Sequence, residues 1–337
     1  MIKTTIDDIA AELGLSKSTV SRAISGKGRI SEATRQRVQQ CIEQYNYTPS
    51  AVARGLAQKR TFNIGVVCPI DYEIFDLQYF HRCLHGISDV ASLGGYDILI
   101  SMIGDRDISN LRRVIENHKA DGIILTRTLF DDAAAAYLKQ SGLPVVVIGS
   151  SPDKDLVQVD NDHLNGCCEL TSVLIAKGCR KIALIGGDNT HTVTAVRRRG
   201  FELAFEQMGL PLDPSLIYMD TQDERAVGAA LEDIVRKKAD CVICMDEKLT
   251  SYAVTECRHL KIRIPADIKM ASFYNSAFLE TTTPAITALD IDDRKLGAAA
   301  ARHLLTMIEG QPSSGELLRS YQVILRESTT LPSAAGR

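Results

Sequence analysis

Small polar and basic side chains recur at helical spacing near the start of the chain. Ser16 is positioned to cap a helix that turns Val20 inward and Lys17, Ser18 and Arg22 outward. A short helix with such groups in its first two turns fits the major groove of DNA, where the base edges carry donors and acceptors. The pattern therefore predicts hydrogen bonding to DNA, and the alternative is a three-helix packing module that contacts no nucleic acid.

Another helix must precede this one to hold it in place. Thr5 and Asp8 form an S/T-x-x-D/E capping box, and Ile9 and Leu13 continue the apolar face of the helix that the box begins. Gly14 then ends that helix and leaves a short turn before the next one. Two short helices joined by such a turn form a helix-turn-helix.

The charge distribution favours the same interpretation. Residues 1–60 contain ten lysines and arginines against five acidic residues, a balance of +5, whereas the whole chain has a net charge of −3. The remaining residues therefore carry about −8. A basic end on an acidic body favours phosphate contacts at that end, although a charge run is also compatible with a solvated face.

Length and composition are typical of a soluble chain with two or three domains. Of its 337 residues, 45% are hydrophobic and 24% charged, and no apolar run approaches the roughly 20 residues that span a bilayer. The sequence leads straight into the capping box, so we predict a cytoplasmic protein without a leader. Its nine cysteines lie mostly in apolar runs, as reduced core thiols do. The single Cys241-Val-Ile-Cys244 spacing lacks partner ligands, and neither a metal nor a cofactor is predicted.

Beyond residue 61 the sequence alternates between short apolar runs and helix-period segments. This alternation predicts parallel sheets covered by helices on both faces, in two similar α/β lobes, with the chain crossing back near 286–292 and 317–321. Ligands of such sheets bind at the carboxyl ends of the strands, so we expect a site in the cleft between the lobes. The predicted strands are 62–68, 96–103, 122–126, 144–148, 181–186, 240–245 and 268–273, and the predicted helices are 79–92, 110–118, 165–177, 196–208, 225–237, 248–260 and 296–308.

An enzyme is the disfavoured alternative. The motifs GxGxxG, GxxxxGK[ST] and GxSxG are absent from the sequence. Asp71, Asp160, Asp246 and Glu247 are candidate acids at strand ends, but no histidine or lysine obviously accompanies them. The strand ends therefore favour binding over catalysis.

Motifs along the whole chain resemble those of the lactose-repressor (LacI/GalR) family of bacterial regulators. They include Ile6-Asp-Asp-Ile-Ala, Thr19-Val-Ser-Arg22 and Tyr47-Thr-Pro-Ser-Ala-Val-Ala-Arg-Gly-Leu56. The resemblance implies a multidomain protein with an all-α helix-turn-helix headpiece and a bilobed α/β core like that of periplasmic binding proteins. The implied domains are a DNA-binding domain 1–48, a hinge helix and linker 49–61, an N-terminal lobe 62–161 completed by about 290–318, and a C-terminal lobe 162–289 completed by about 320–332.

The resemblance also implies a homodimer on palindromic double-stranded operator DNA. Base edges would be read by Lys17, Ser18 and Arg22, and Arg29 matches a further contact position. In the hinge, which is too short to be stable alone, Leu56 would wedge into the minor groove. The complete set of implied DNA contacts is Thr5, Ser16, Lys17, Ser18, Thr19, Ser21, Arg22, Arg29, Thr34, Ala53 and Leu56.

An effector site between the lobes is implied as well. Arg197 matches an arginine that points into the family's cleft, where its guanidinium can bridge sugar hydroxyls or a carboxylate. Asp246 follows a strand, and Glu247 is expected to cap the next helix. Tyr274 replaces an aspartate that is common in the family, and its ring could stack on a sugar or fill the pocket. The candidate effector residues are Asp71, Tyr72, Phe80, Thr126, Arg197, Asp246 and Tyr274. Phe75 could also shape the rim of the pocket, and Arg127 ends the same strand as Thr126 and is a further candidate.

The expected function is that of a repressor of sugar-utilisation genes that is released by a small carbohydrate. The alternative is a sugar-binding sensor that depends on a corepressor or protein partner. Short matches at 159–163 and 289–292 resemble regulators of maltose genes, so a maltose-like glucoside is one guess for the effector. The operator, the genes and the direction of the effector's action are not encoded visibly.

Overall fold

The computed structural model describes residues 4–25, 28–45, 47, 55, 58–70 and 78–330. The chain divides into two compact units, Met1–Thr61 and Phe62–Arg337. We call the first unit the headpiece and the second the core. Within the described ranges, no helix has both the length and the apolar character needed to cross a membrane.

Three helices of the headpiece are described over their full length: α1 (Ile6–Leu13), α2 (Lys17–Ser25) and α3 (Glu32–Gln44). Gly14 ends α1 in the left-handed region with a φ of 65°, a conformation that glycine adopts without strain. Ser31 begins α3 by accepting a hydrogen bond from the Thr34 N–H (3.2 Å). The helices enclose a small apolar centre of Ile9, Ala10, Val20, Ala23, Val38 and Cys41.

The first lobe of the core contains a six-stranded parallel sheet in the order β11-β5-β4-β3-β1-β2, and its elements come from two separate parts of the chain. Successive residues of a strand face opposite sides, so Val66 packs beneath one helix layer and Val67 beneath the other. The elements are β1 (Asn63–Pro69), α4 (Gln78–Leu93), β2 (Asp97–Ile103), α5 (Ser109–Glu116), β3 (Gly122–Leu125), α6 (Ala133–Gln140), β4 (Val145–Ile148), β5 (Val157–Asn161), α12 (Asp293–Ile308) and β11 (Glu316–Leu318).

The second lobe repeats this arrangement in the order β12-β10-β9-β8-β6-β7, except that β12 runs antiparallel to β10. Cys241 and Cys244 lie within β8 as free, buried thiols. The elements are α7 (His163–Ala176), β6 (Ile182–Ile185), α8 (Thr192–Gln207), a 3₁₀ helix (Pro214–Leu216), β7 (Ile217–Tyr218), α9 (Glu224–Arg236), β8 (Cys241–Cys244), α10 (Glu247–His259), β9 (Lys269–Ser272), α11 (Ala277–Thr281), β10 (Thr287–Ile291), β12 (Tyr321–Ile324) and a 3₁₀ helix (Glu327–Thr329).

The chain passes between the two lobes three times. It leaves the first sheet after Asn161, returns after Ile291 to form α12 and β11, and leaves again between Leu318 and Tyr321. The predicted fold class, a helical headpiece with a bilobed parallel α/β core, is confirmed.

Candidate functional site

The exposed face of α2 is organised by hydrogen bonds at its first turn. Ser16 accepts a hydrogen bond from the Thr19 N–H (3.1 Å), and its hydroxyl also lies 2.9 Å from that of Ser18. Lys17 pairs with Asp7 at 2.9 Å, and both side chains are exposed. Because α1 supplies Asp7, the two helices jointly position the lysine at the surface.

The other predicted DNA contacts among the described residues of the headpiece also reach its surface. Ser21, Arg22 and Arg29 are exposed, and Thr34 is half-buried beside Ser31. Ala53 and Leu56 lie outside the described residues.

The predicted capping box is present at the start of α1. The Thr5 hydroxyl accepts from the Asp8 N–H (3.3 Å), and the Asp8 carboxylate accepts from the Thr5 N–H (2.8 Å). Hydrogen bonds from the Thr5 hydroxyl and N–H lower the pKa of Asp8.

A cavity of about 130 Å³ lies between the two lobes of the core, at the carboxyl ends of the strands. Five of the predicted effector residues line it: Phe80, Thr126, Arg197, Asp246 and Tyr274. Asp71, Tyr72 and Phe75 lie outside the described residues. The cavity is also lined by residues that were not predicted as effector contacts, namely Tyr79, Thr128, Ile148, Gly149, Asp160, His163, Gly187, Asp188, His191, Val193, Thr194 and Met245.

Arg197 crosses from α8 to the end of β8. Its Nη1 donates to the Met245 carbonyl (2.7 Å), while its Nε is buried without a hydrogen-bond partner in the described part of the chain. The neighbouring Arg198 and Arg199 instead form ion pairs with glutamates of the same helix. Arg197 is therefore the arginine of this run that lines the cavity.

Two carboxylates at the cavity interact with Arg197. Burial raises the pKa of Asp160 to about 6, although hydrogen bonds from Ser150 and Asn161 and the charge of Arg197 oppose the increase. Burial also raises the pKa of Asp246, against the Leu249 N–H bond and the charge of Arg197. Both acids therefore lie close enough to the guanidinium for its positive charge to stabilise their ionised forms.

The prediction that Glu247 caps the next helix, α10, is wrong. Asp246, and not Glu247, caps α10 by accepting from the Leu249 N–H (2.8 Å). The reason is geometric, since Asp246 has the extended backbone that a cap requires, whereas Glu247 is already the first helical residue. Asp246 thus lines the cavity and fixes the start of α10 at once.

Tyr274 is connected to the opposite lobe. Its hydroxyl donates to Asp293 Oδ2 (2.6 Å) at the first turn of α12, and the two residues are only 4% and 1% exposed. Burial raises the pKa of Asp293 to about 7, and the Tyr274 hydrogen bond and the charges of Arg82 and Arg197 oppose the increase. The ring therefore lines the cavity while the hydroxyl is held in the contact between the lobes.

The first lobe presents side chains that are already engaged. The Thr126 hydroxyl donates to the Val67 carbonyl (2.8 Å), and the Thr126 carbonyl accepts from the Tyr79 hydroxyl (3.3 Å). Phe80 is 4% exposed and packs edge-on against Tyr79. Arg127 forms an ion pair with Asp105. These residues shape the cavity, but their polar groups are largely occupied within their own lobe.

A short antiparallel contact closes the cleft beside the cavity. The Phe130 N–H donates to the Thr190 carbonyl (3.0 Å), the Thr192 N–H donates to the Thr128 carbonyl (3.3 Å), and the Thr128 and Thr192 hydroxyls are 2.6 Å apart. We call residues 128–130 and 190–192 the interlobe bridge. It joins the lobes away from the three chain crossings, so opening the cleft must break it.

A buried histidine adds a neutral polar group to the cavity. His163 is 6% exposed, and burial holds its pKa well below the usual range. Its Nδ1 has no hydrogen-bond partner within the described ranges. Together with Arg197 Nε, this gives two buried nitrogens of cavity residues that have no hydrogen-bond partner among the described residues.

The headpiece and the two-lobed core define a DNA-binding transcriptional regulator with a small-molecule cleft. The sequence profile of bacterial regulatory proteins, lacI family, matches residues 5–50, and that of the periplasmic binding protein-like domain matches residues 171–329. The HTH-type transcriptional regulator MalR of Staphylococcus xylosus is 30% identical over 345 residues, which cover 97% of this chain and 98% of that relative. The chain belongs to the lacI family of bacterial regulatory proteins.

Further relatives and solved structures agree with this assignment. Catabolite control protein A of Staphylococcus xylosus is 29% identical over 304 residues, covering 89% of this chain and 91% of that relative. The structure of the lac repressor dimer bound to operator and the anti-inducer ONPF matches with a TM-score of 0.81 at 20% identity, covering 98% of this chain and 100% of that one. The transcriptional regulator CelR in its cellobiose complex matches with a TM-score of 0.73 at 24% identity, covering 97% and 100%. At these sequence identities, the two structural matches show that the fold is shared.

Proposed function

We propose that this regulator represses sugar-utilisation genes in the cytoplasm and releases its operator when a small carbohydrate binds between the lobes. The observation that carries the proposal is Arg197, a half-buried arginine that lines the cavity between the lobes and whose Nε has no hydrogen-bond partner among the described residues. Guanidinium groups bind vicinal hydroxyls well because their donors form a planar fork. The cellobiose complex of CelR supports a carbohydrate as the ligand class.

The DNA-binding side of the proposal uses the exposed face of α2. Lys17, Ser18 and Arg22 would read base edges with Arg29, since long basic side chains reach guanine O6 and N7. Ser16 and Thr19, held together at the first turn, would bind phosphate near the helix N-terminus. The remaining proposed contacts are Thr5, Ser21 and Thr34 in residues 1–48, and Ala53 and Leu56 in the linker 49–61.

The effector side of the proposal uses both lobes. Arg197 and Asp246 of the second lobe would bind hydroxyls, while the rings of Phe80 and Tyr274 would pack against the apolar face of the sugar. Asp71, Tyr72 and Thr126 would complete the site. The chain would act as a homodimer, because a two-fold axis matches a palindromic operator.

The test measures operator binding by fluorescence anisotropy on palindromic DNA from beside the gene, with a panel of mono- and oligosaccharides. We expect one sugar to weaken operator binding by about tenfold or more, a typical magnitude for allosteric coupling. Arg197→Met should abolish that response with operator affinity retained, and Arg198→Met, on the exposed face, should preserve it.

Two results would contradict the proposal. If the complete chain binds no palindrome, its repressor role is wrong. If deletion of residues 1–60 leaves sugar binding intact while the complete chain binds DNA identically with and without that sugar, the protein is a sugar sensor that needs another partner.

A further inference from the structure

The charged groups at the cavity carry an excess of negative charge. Among the described residues that line it are two arginines, Arg127 and Arg197, and three aspartates, Asp160, Asp188 and Asp246. Arg127 forms an ion pair with Asp105, a fourth aspartate that does not line this cavity. The positive charge of Arg127 is therefore already balanced by a residue outside the lining. Arg197 lies near Asp160 and Asp246, whereas Asp188 lies near Arg127 and His191.

The aspartates are fixed in place by their hydrogen bonds. Asp160 accepts from the Ser150 hydroxyl and from the Asn161 N–H, both at 2.8 Å. Asp246 accepts from the Leu249 N–H (2.8 Å), and Asp188 accepts from the Thr190 N–H (2.7 Å). An incoming anion therefore cannot displace these carboxylates from the cavity without breaking such bonds.

The N-terminus of one helix beside the cavity, α10, is also occupied. An N-terminus attracts anions through its free N–H groups, and that of α10 is already capped by Asp246. Before α8, Asp188 accepts hydrogen bonds from the N–H and the hydroxyl of Thr190, while the cap residue of α8 itself, His191, makes no side-chain cap bond. The N-terminus of α10, where a phosphate or carboxylate of a ligand could otherwise be held, thus contains an aspartate of the protein itself.

We infer that the effector carries no anionic group, and that the cleft selects neutral or amino-substituted sugars over sugar phosphates and sugar acids. This inference rests on the proposed function, because it specifies the ligand of the same cleft. The Arg197 guanidinium, flanked by Asp160 and Asp246, then donates to hydroxyls, and the carboxylates accept from hydroxyls or from an ammonium group. His163 contributes a neutral ring nitrogen that adds no charge.

The test uses matched ligand series and isothermal titration calorimetry on the complete chain at about pH 7.5, above the pKa of about 6 of Asp160. The probes are glucose, glucosamine, glucose 6-phosphate and glucuronic acid, with the corresponding galactose and mannose derivatives, maltose and cellobiose. Within any series that binds, the neutral or amino member should bind at least about tenfold more tightly than the anionic members. Tightest binding by a phosphate or an acid would overturn the inference.

A second arm uses inorganic phosphate alone and does not depend on the sugar. Wild-type protein should show no heat of phosphate binding, whereas Asp246→Asn should bind phosphate measurably, because asparagine keeps the helix cap but removes the charge. The matched control is Asp223→Asn, which changes the cap of α9 on the exposed surface in the same way. Phosphate binding by the wild type that Arg197→Met abolishes would refute the inference, as would an Asp246→Asn variant that melts like the wild type yet ignores phosphate.

Operator binding separates this inference from the proposed function. A neutral sugar that binds without changing operator affinity would overturn the proposed function and leave the inference standing. A sugar phosphate that binds the cleft and causes the protein to release its operator would overturn the inference and leave the proposed function standing.

Discussion

Polar side chains define both the face of α2 in the headpiece and the cleft of the core, but the two regions hold them differently. On α2 they are exposed and organised by bonds between residues two or three positions apart, as at Ser16 and Thr19. In the cleft they are buried, and their partners are far away in sequence, as for Arg197 and Met245. The charged side chains of α2 are consequently at the surface, where a large partner can contact them. Those of the cleft are held in place by hydrogen bonds inside the core.

The largest expected effect is the pH dependence of the stability of the core. The folded core raises the pKa of Asp293 from its usual 3.8 to about 7, so the folded state binds this proton more tightly than the unfolded chain. The resulting stabilisation is complete below about pH 4 and is lost as the pH rises to about 7. We expect a loss on the order of 4 kcal/mol over that interval, measured by urea unfolding of wild type against Asp293→Asn.

The matched control for this pH effect is Asp267→Asn. Its hydrogen bonds with Arg263 lower the pKa of Asp267 to about 2, so its contribution is lost only when the pH falls below about 4. An Asp293→Asn variant with the same stability profile as the wild type between about pH 4 and 7 would disprove the assignment.

A smaller effect is expected from the exposed arginine of the headpiece. Arg22→Ala should weaken specific operator binding by roughly 1 to 3 kcal/mol and relax sequence preference, because a bidentate contact to a base is lost. Arg37→Ala removes the same charge from a side chain that bonds the Leu13 carbonyl, and it should affect specific and nonspecific DNA alike. Equal losses on both kinds of DNA for Arg22→Ala would rule out base reading. Competition anisotropy with random-sequence DNA provides the measurement.

The smallest effect should come from the interlobe bridge. Thr128→Val keeps the shape of the side chain but removes its bonds to the Ser150 carbonyl and the Thr192 hydroxyl. Hydrogen exchange at the Phe130 and Thr192 amides should accelerate by about fivefold, equivalent to about 1 kcal/mol. Thr306→Val, which removes a hydroxyl bond on the exposed side of α12, should leave both amides unchanged. Unaltered exchange in Thr128→Val would indicate that the hydroxyls do not help to close the cleft.

Much of the fold was predictable because its signals are local. The capping box at Thr5 and the buried runs such as β3 and β8 follow from spacing and apolar content alone. Elements with weak local signals were missed, including the alanine-rich α6, the two-residue β7 and the partly polar β5. These depend on neighbours that the sequence order does not reveal.

The cleft was predictable only in part, for the same reason. Arg197 and Asp246 were found because they resemble family positions, and the structure places both at the cavity. The bond between Tyr274 and Asp293 was not anticipated. The return of 290–318 to the first lobe was expected, but nothing in either local sequence indicates that the start of α12 meets the end of β9. His163 was overlooked as a lining residue, although its position two residues after β5 was a usable signal.

The late return of the chain to the first lobe has a consequence for synthesis on the ribosome. The headpiece completes its apolar centre within the first 41 residues and can fold early. The first lobe still lacks Leu296, Ala300 and Leu304 of its core until α12 has emerged, and its edge strand β11 ends only at Leu318. Since domains generally fold as units during translation, the growing chain must carry an incomplete first sheet until β11 has emerged.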